Sequence, residues 1–160
     1  LADICAREGL DVPRLTEQTR LELNKFIRLA GNSVRNPVDA WSTQDMPADF
    51  QKTLELTAND PSIDAIIFDR QGGGNGNDPV RKARYNQVTD VVIDFFQKGS
   101  ANKPMVVSLS GASTSPSSAA AKVDLWKQFA VAGVPTYPST ISAARALSKF
   151  IAYHDYQRQT

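Results

Sequence analysis

The stretch Lys103-Pro104-Met105-Val106-Val107-Ser108-Leu109 is a short apolar run, bounded by a proline on one side and by the Gly/Ser/Thr-rich loop Gly111 to Ser118 on the other. A run of this length without polar alternation suits a strand buried on both faces. Working outward, Ile63-Asp64-Ala65-Ile66-Ile67-Phe68 is a second nearly continuous apolar run, and Gly133-Val134-Pro135-Thr136-Tyr137 is a short third. Helical patterns lie between them. Asp78-Pro79 starts a long helix whose stripe is Val80, Val88, Val91, Val92, Phe95 and Phe96, and Ala119 to Ala132 reads as another. Ser139-Thr140-Ile141-Ser142-Ala143 opens a final helix that runs to about Tyr156. Strands alternating with helices at this spacing predict an α/β fold, a parallel sheet with helices on both faces.

Toward the front, Leu1 to Glu8 reads as the tail of a helix stopped by Gly9. Thr16 caps a second helix with apolar positions Leu15, Leu21, Leu23, Phe26, Ile27 and Leu29, ended by Gly31. Met46 to Ala58 is a third, with Phe50, Leu54 and Leu56 inward, and Asn59-Asp60-Pro61 closes it. The strand total is three or four, where a complete doubly wound domain has about five. The deficit falls at the start, so a further strand is expected ahead of the first helix. On this reading residues 1–160 are a single domain belonging to a longer chain.

With 160 residues, 41% hydrophobic and 22% charged, the composition excludes disorder, a collagen repeat and a disulfide scaffold. A net charge of +1 leaves no electrostatic footprint for nucleic acid or an anionic membrane surface. One cysteine, Cys5, and one histidine, His154, are too few for a Cys/His zinc site, and the thiol usage suits a cytoplasmic protein. No apolar run approaches the roughly 20 residues of a membrane-spanning helix.

The glycine cluster Gly72-Gly73-Gly74-Asn75-Gly76 follows a strand and precedes a helix, where glycines let backbone amides approach a phosphate. It matches neither the dinucleotide fingerprint nor the phosphate loop of nucleotide hydrolases, and a surface loop explains it as simply. The hydroxyl-rich segment Ser108 to Ser118, with Ser110 and Gly111 at its start, occupies the corresponding end of the next strand. It has no Gly-x-Ser-x-Gly elbow and no Ser-x-x-Lys, and a loop with a helix cap accounts for its composition. His154 reads as a solvent-facing residue near a helix C-terminus, and Cys5 as small core packing. Asp3, Asp39, Asp64 and Asp69 are spread over different elements and form no acid/base pair by spacing alone.

Several separated segments then fall into one order: Leu1-Ala2-Asp3-Ile4-Cys5-Ala6-Arg7-Glu8-Gly9-Leu10-Asp11-Val12-Pro13-Arg14-Leu15-Thr16-Glu17-Gln18-Thr19, Asn36-Pro37-Val38-Asp39, Asn59-Asp60-Pro61-Ser62-Ile63-Asp64-Ala65, Lys103-Pro104 and Gly133-Val134-Pro135-Thr136-Tyr137, closed by an alanine-rich helix. This order, over nearly the whole chain, resembles the ligase-CoA domain of the nucleoside-diphosphate-forming acyl-CoA synthetases, relatives of acetate:CoA ligase and succinyl-CoA synthetase. The resemblance implies a flavodoxin-like fold and an ADP-forming parent that makes acyl-CoA from a carboxylate, CoA and ATP. It implies ATP/ADP, Mg and CoA as ligands of the parent, with none certain in this domain, and CoA-binding and ATP-grasp domains or subunits as partners. The phosphorylated histidine of such enzymes belongs to another domain, so His154 does not take that role. Asn36, Pro37 and Asp39 match the family's Asn-Pro-x-Asp, expected at the carboxyl end of a strand beside a phosphate-facing helix. With Gly72, Gly73, Gly74, Ser110 and Gly111 they are the phosphate- or interface-facing candidates, and no catalytic or metal-ligating residue is assigned.

Two rival readings are a non-catalytic regulatory or interaction module, as in acetyltransferase fusions, and a free-standing flavin binder. The second lacks any acidic or aromatic pattern that would sandwich an isoalloxazine ring. The purified protein is therefore expected to be colourless, and a visible absorption band near that of a bound flavin would restore the flavin reading.

Overall fold

The computed structural model of the chain describes residues 1–28, 30–40, 46–71, 79–111 and 115–159. Its elements, in chain order, are α1 (Ala2–Arg7), α2 (Glu17–Asn24), α3 (Met46–Asn59), β1 (Ile66–Gln71), α4 (Pro79–Gln97), β2 (Met105–Ser110), α5 (Pro116–Val131), β3 (Thr136–Tyr137) and α6 (Thr140–Gln159). The strands form one parallel sheet in the order β1-β2-β3, with Val107 opposite Thr136 and Ser108 opposite Tyr137. The fold is α/β and flavodoxin-like. No described helix is long and apolar enough to cross a membrane.

The chain divides into two compact units, one of Leu1–Val12, Ile67–Gly74 and Pro104–Thr160, the other of Pro13–Ile66 and Asn75–Lys103. In the first, Met105 to Leu109 are all buried, as a two-face apolar strand requires. α6 packs on β2 and β3 and buries Ala143, Ala144 and Leu147, while α5 packs on β3 and buries Phe129. α1 lies against α6, where Arg145 donates to both Glu8 oxygens from Nε at 2.9 Å and Nη2 at 2.7 Å. That planar fork favours a fixed orientation. It also holds the Glu8 carboxyl below the usual carboxylate range.

The second unit is built around Leu15, Leu23, Ile27, Val34 and Ile63, with Phe26, Val38, Ala40 and Leu56 against them. Its buried carboxylate is Asp60. Oδ2 accepts from the backbone N–H of Thr16 at 2.9 Å and from its hydroxyl at 2.8 Å, and Oδ1 accepts from the N–H of Ser62 at 2.9 Å and from its hydroxyl at 2.6 Å. Burial alone would raise the Asp60 pKa, but the hydrogen bonds from Ser62, Thr19 and Thr16 outweigh it and hold the group well below its ordinary value of 3.8. Lys103 Nζ donates to the Asp60 carbonyl at 2.9 Å, so the same turn also anchors the approach to β2.

Several boundaries differ from the sequence reading; β3, for one, is confined to Thr136–Tyr137. α2 ends at Asn24 rather than at Gly31, because Lys25 and Phe26 bond back to the carbonyls of Glu22 and Leu23 in tighter turns as the core draws in Ile27. Leu21, within α2, is exposed rather than inward, and Leu29 lies outside the described residues. β1 starts at Ile66 rather than Ile63, since the Asp60 turn takes Ile63 into the core of the second unit. α5 starts at Pro116 rather than Ala119, because Ser115 and Ser118 form a reciprocal capping box with proline in the first turn. α6 runs on to Gln159 rather than ending near Tyr156.

Between α4 and β2 the chain turns through Gly99, Ser100, Ala101 and Asn102, all at positive φ. For a residue with a Cβ this costs about 1 kcal/mol, so Ala101→Gly (φ 55°) is expected to raise stability by about that amount in a denaturant melt. Leu23→Ala, which empties a site of 0% exposure, is expected to cost about 2–5 kcal/mol by the same measurement. Asp60 binds fewer protons folded than unfolded near pH 4. Its contribution is thus complete above its ordinary value of 3.8 and is lost as pH falls below it. Asp60→Asn is expected to lower stability at neutral pH by about 2–3 kcal/mol and to flatten the acid limb of the stability–pH curve.

Candidate functional site

In parallel α/β sheets ligands bind outside the carboxyl ends of the strands, and there the first unit gathers its polar side chains. β1 carries Asp69 near its end. Ser108 and Ser110, two apart on β2, share one face of the strand. α6 begins at Thr140. Ser110 donates its hydroxyl to Asp69 Oδ2 at 2.9 Å, and Thr140 donates to Oδ1 at 3.0 Å. Ser108 Oγ lies 3.2 Å from Thr140 Oγ1, which extends the chain of hydroxyls inward. Ser108 is fully buried and Thr140 nearly so, while Asp69 and Ser110 are half-buried. One carboxylate thus ties the ends of two strands to the start of a helix.

The rim of the site is organised by helix ends. Gly111, at φ 92°, turns the chain away from β2. Lys122 on α5 reaches across to the carbonyls of Gly111 at 3.3 Å and Pro138 at 3.5 Å. In the first turn of α6, Ser139 Oγ accepts from the N–H of Ser142 at 3.2 Å. The arrangement can orient hydrogen-bond donors and hold a surface in register, and it places a carboxylate where an incoming group would meet it.

Of the residues expected from sequence, Ser110 and Gly111 belong to this cluster. Gly72, Gly73 and Gly74 lie outside the described residues. Asn36, Pro37 and Asp39 sit in the second unit, and they do not end a strand as expected. Asp39 and Ser33 exchange backbone hydrogen bonds at 2.8 Å in each direction, an isolated antiparallel bridge that closes a short loop containing the cis Asn36–Pro37 bond. Asn36 Nδ2 donates to the carbonyl of Pro13 at 3.0 Å, and Asp39 is exposed. His154 is exposed on α6 beside the rings of Phe150 and Tyr153. Cys5 is buried, and burial pushes its thiol pKa up. Asp3 and Asp64 are exposed, and no cluster of three or more His, Cys, Asp or Glu able to hold a metal occurs among the described residues.

Sequence reasoning missed Asp69, Thr140 and Lys122. A usable signal existed: a carboxylate at the end of one apolar run, hydroxyls two apart at the end of the next, and a hydroxyl opening a helix all belong at one edge of a parallel sheet.

A family model described as the ligase-CoA domain matches residues 1–149, and the chain belongs to that family. The crystal structure of PH0766 from Pyrococcus horikoshii OT3 has the same fold, with a TM-score of 0.65 and 24% sequence identity over 92% of this chain and 31% of its own. The chain thus spans about a third of that protein's length. No curated protein matches the chain significantly.

Replacing Asp69 by Ala leaves the hydroxyls of Ser110 and Thr140 without their acceptor. The expected cost is about 1–3 kcal/mol in thermal or denaturant unfolding, and Ser110→Ala, which keeps the Thr140 bond, should cost less.

Proposed function

We propose that the chain is one domain of an ADP-forming acyl-CoA synthetase, which makes acyl-CoA, ADP and phosphate from a carboxylate, CoA and ATP in the cytoplasm. The observation that carries the reading is membership of the ligase-CoA domain family over residues 1–149. In this role the domain contributes an interface and a phosphate-facing helix to a phosphohistidine carried on another domain. Helix-end and backbone dipoles stabilise such a phosphate without covalent bonding, which a chain of net charge +1 can do without a basic patch. Asn36, Pro37, Asp39, Gly72, Gly73, Gly74, Ser110 and Gly111 are its phosphate- or interface-facing residues. ATP, Mg and CoA are bound by the partner domains.

The test is acyl-CoA formation with ATP, Mg, CoA and a panel of short carboxylates, run on the full-length protein and on the 160-residue chain. Turnover with CoA-dependent ADP release is expected from the first and none from the second. Robust turnover by the 160-residue chain alone, or a full-length protein inactive across the panel, would overturn the proposal, and the latter would favour a regulatory module.

A further inference from the structure

We infer that α5 is a self-association surface, through which two copies of this chain pair antiparallel across a two-fold axis near Leu125. Against its own unit α5 fully buries only Ser118 and Phe129, so one narrow stripe carries its packing on β3. Its outward side lacks the polar cover of an ordinary surface helix. Val123, Trp126 and Val131 are 48%, 53% and 91% exposed there. Large apolar side chains grouped in this way mark an interaction surface, and tryptophan is a residue type that anchors one.

The order of residues along the helix says what covers this face. At 3.6 residues per turn, Ala119, Val123, Trp126 and Ala130 form one outward row, and Ala120, Asp124, Lys127 and Val131 form the next, all of them exposed. Both rows step by four, three and four residues, so each has the same spacing from either end. A two-fold interface requires that kind of self-complementarity, since residue i meets j and j meets i. Reversed about a point near Leu125, each row meets itself to within one residue, or about 1.5 Å of rise. Val123 then packs on the partner's Trp126, and Ala119 lies opposite the partner's Ala130, where small side chains let the helices approach. In the second row Asp124 faces the partner's Lys127, twice by symmetry. Among the described residues neither Asp124 nor Lys127 makes an ion pair within its own chain. The row is neutral as a whole, so it attracts no partner by net charge, whereas a reversed copy of itself satisfies its acid and its base together. The inference goes beyond the synthetase reading and does not depend on it, because its test reads association and not acyl-CoA formation.

A single helix pair lies at the small end of specific interfaces, so sedimentation equilibrium of the 160-residue chain is expected to show a reversible monomer–dimer equilibrium with a Kd of about 10–100 μM. Trp126→Glu is expected to stay monomeric at millimolar concentration, and Val123→Glu takes its place should that variant lose its native circular dichroism. Asp124→Lys and Lys127→Asp each set two like-charge contacts in the interface and should raise the Kd about tenfold, while the double variant, which restores both pairs in the reversed sense, should return to the wild-type value. A wild-type chain that stays monomeric at millimolar concentration would assign the face to another domain or a different protein and overturn the inference. A dimer left intact by the glutamate substitution would overturn it as well, and so would a double charge reversal that associates no better than either single one.

Discussion

A carboxylate drawn partly out of water must be met by donors, and in the sheet-bearing unit that requirement falls on Asp69. Its two oxygens collect hydroxyls from the end of β2 and the start of α6, and a buried serine continues the chain of hydroxyls behind them. Because β1, β2 and α6 are far apart in sequence, the bonds cannot form until the sheet and its helix have assembled. Once formed they fix where the helix begins relative to the strand ends. The position of the candidate site follows from that registration, not from any loop sequence.

The other unit uses the same device with a different geometry. Asp60 is more deeply buried than Asp69 and receives four hydrogen bonds from the cap of α2 and from its own turn. The carboxylate that terminates one helical segment thereby supports the beginning of another 44 residues earlier. This turn also decides where β1 can begin, since it commits Ile63 to the core of the second unit before the chain extends. An apolar run that reads as one strand is therefore divided between a core contact and a strand.

Much of the fold is legible in local pattern. The unbroken apolar run at Met105–Leu109 reads as a buried strand and is one, and Gly9 ends α1 at φ 81° as a residue just past a helix should. The long helix α4 buries Val88, Val92 and Phe95 from the stripe read in the sequence. Helix ends were less legible. α2 keeps an apolar helical period past Asn24, yet the core bends the chain there, while α5 begins earlier than its alanine run suggests because the Ser115 cap acts at short range. The site was legible only in part. Ser110 and Gly111 stood out by composition, whereas Asp69 was marked only by its place at the end of an apolar run, a signal that gains meaning once that run is set beside the next strand.

By itself the sequence determined the class of fold, the buried strand at Met105–Leu109 and the family, because periodicity, glycine stops and motif order are properties of the chain read along its length. Tertiary structure alone decided that Asp69, Ser108, Ser110 and Thr140 converge, and that Asn36–Asp39 closes a bridged loop instead of finishing a strand. The physical reason is that a hydrogen bond depends on distance and angle between groups, and residues up to 71 positions apart acquire those only through packing.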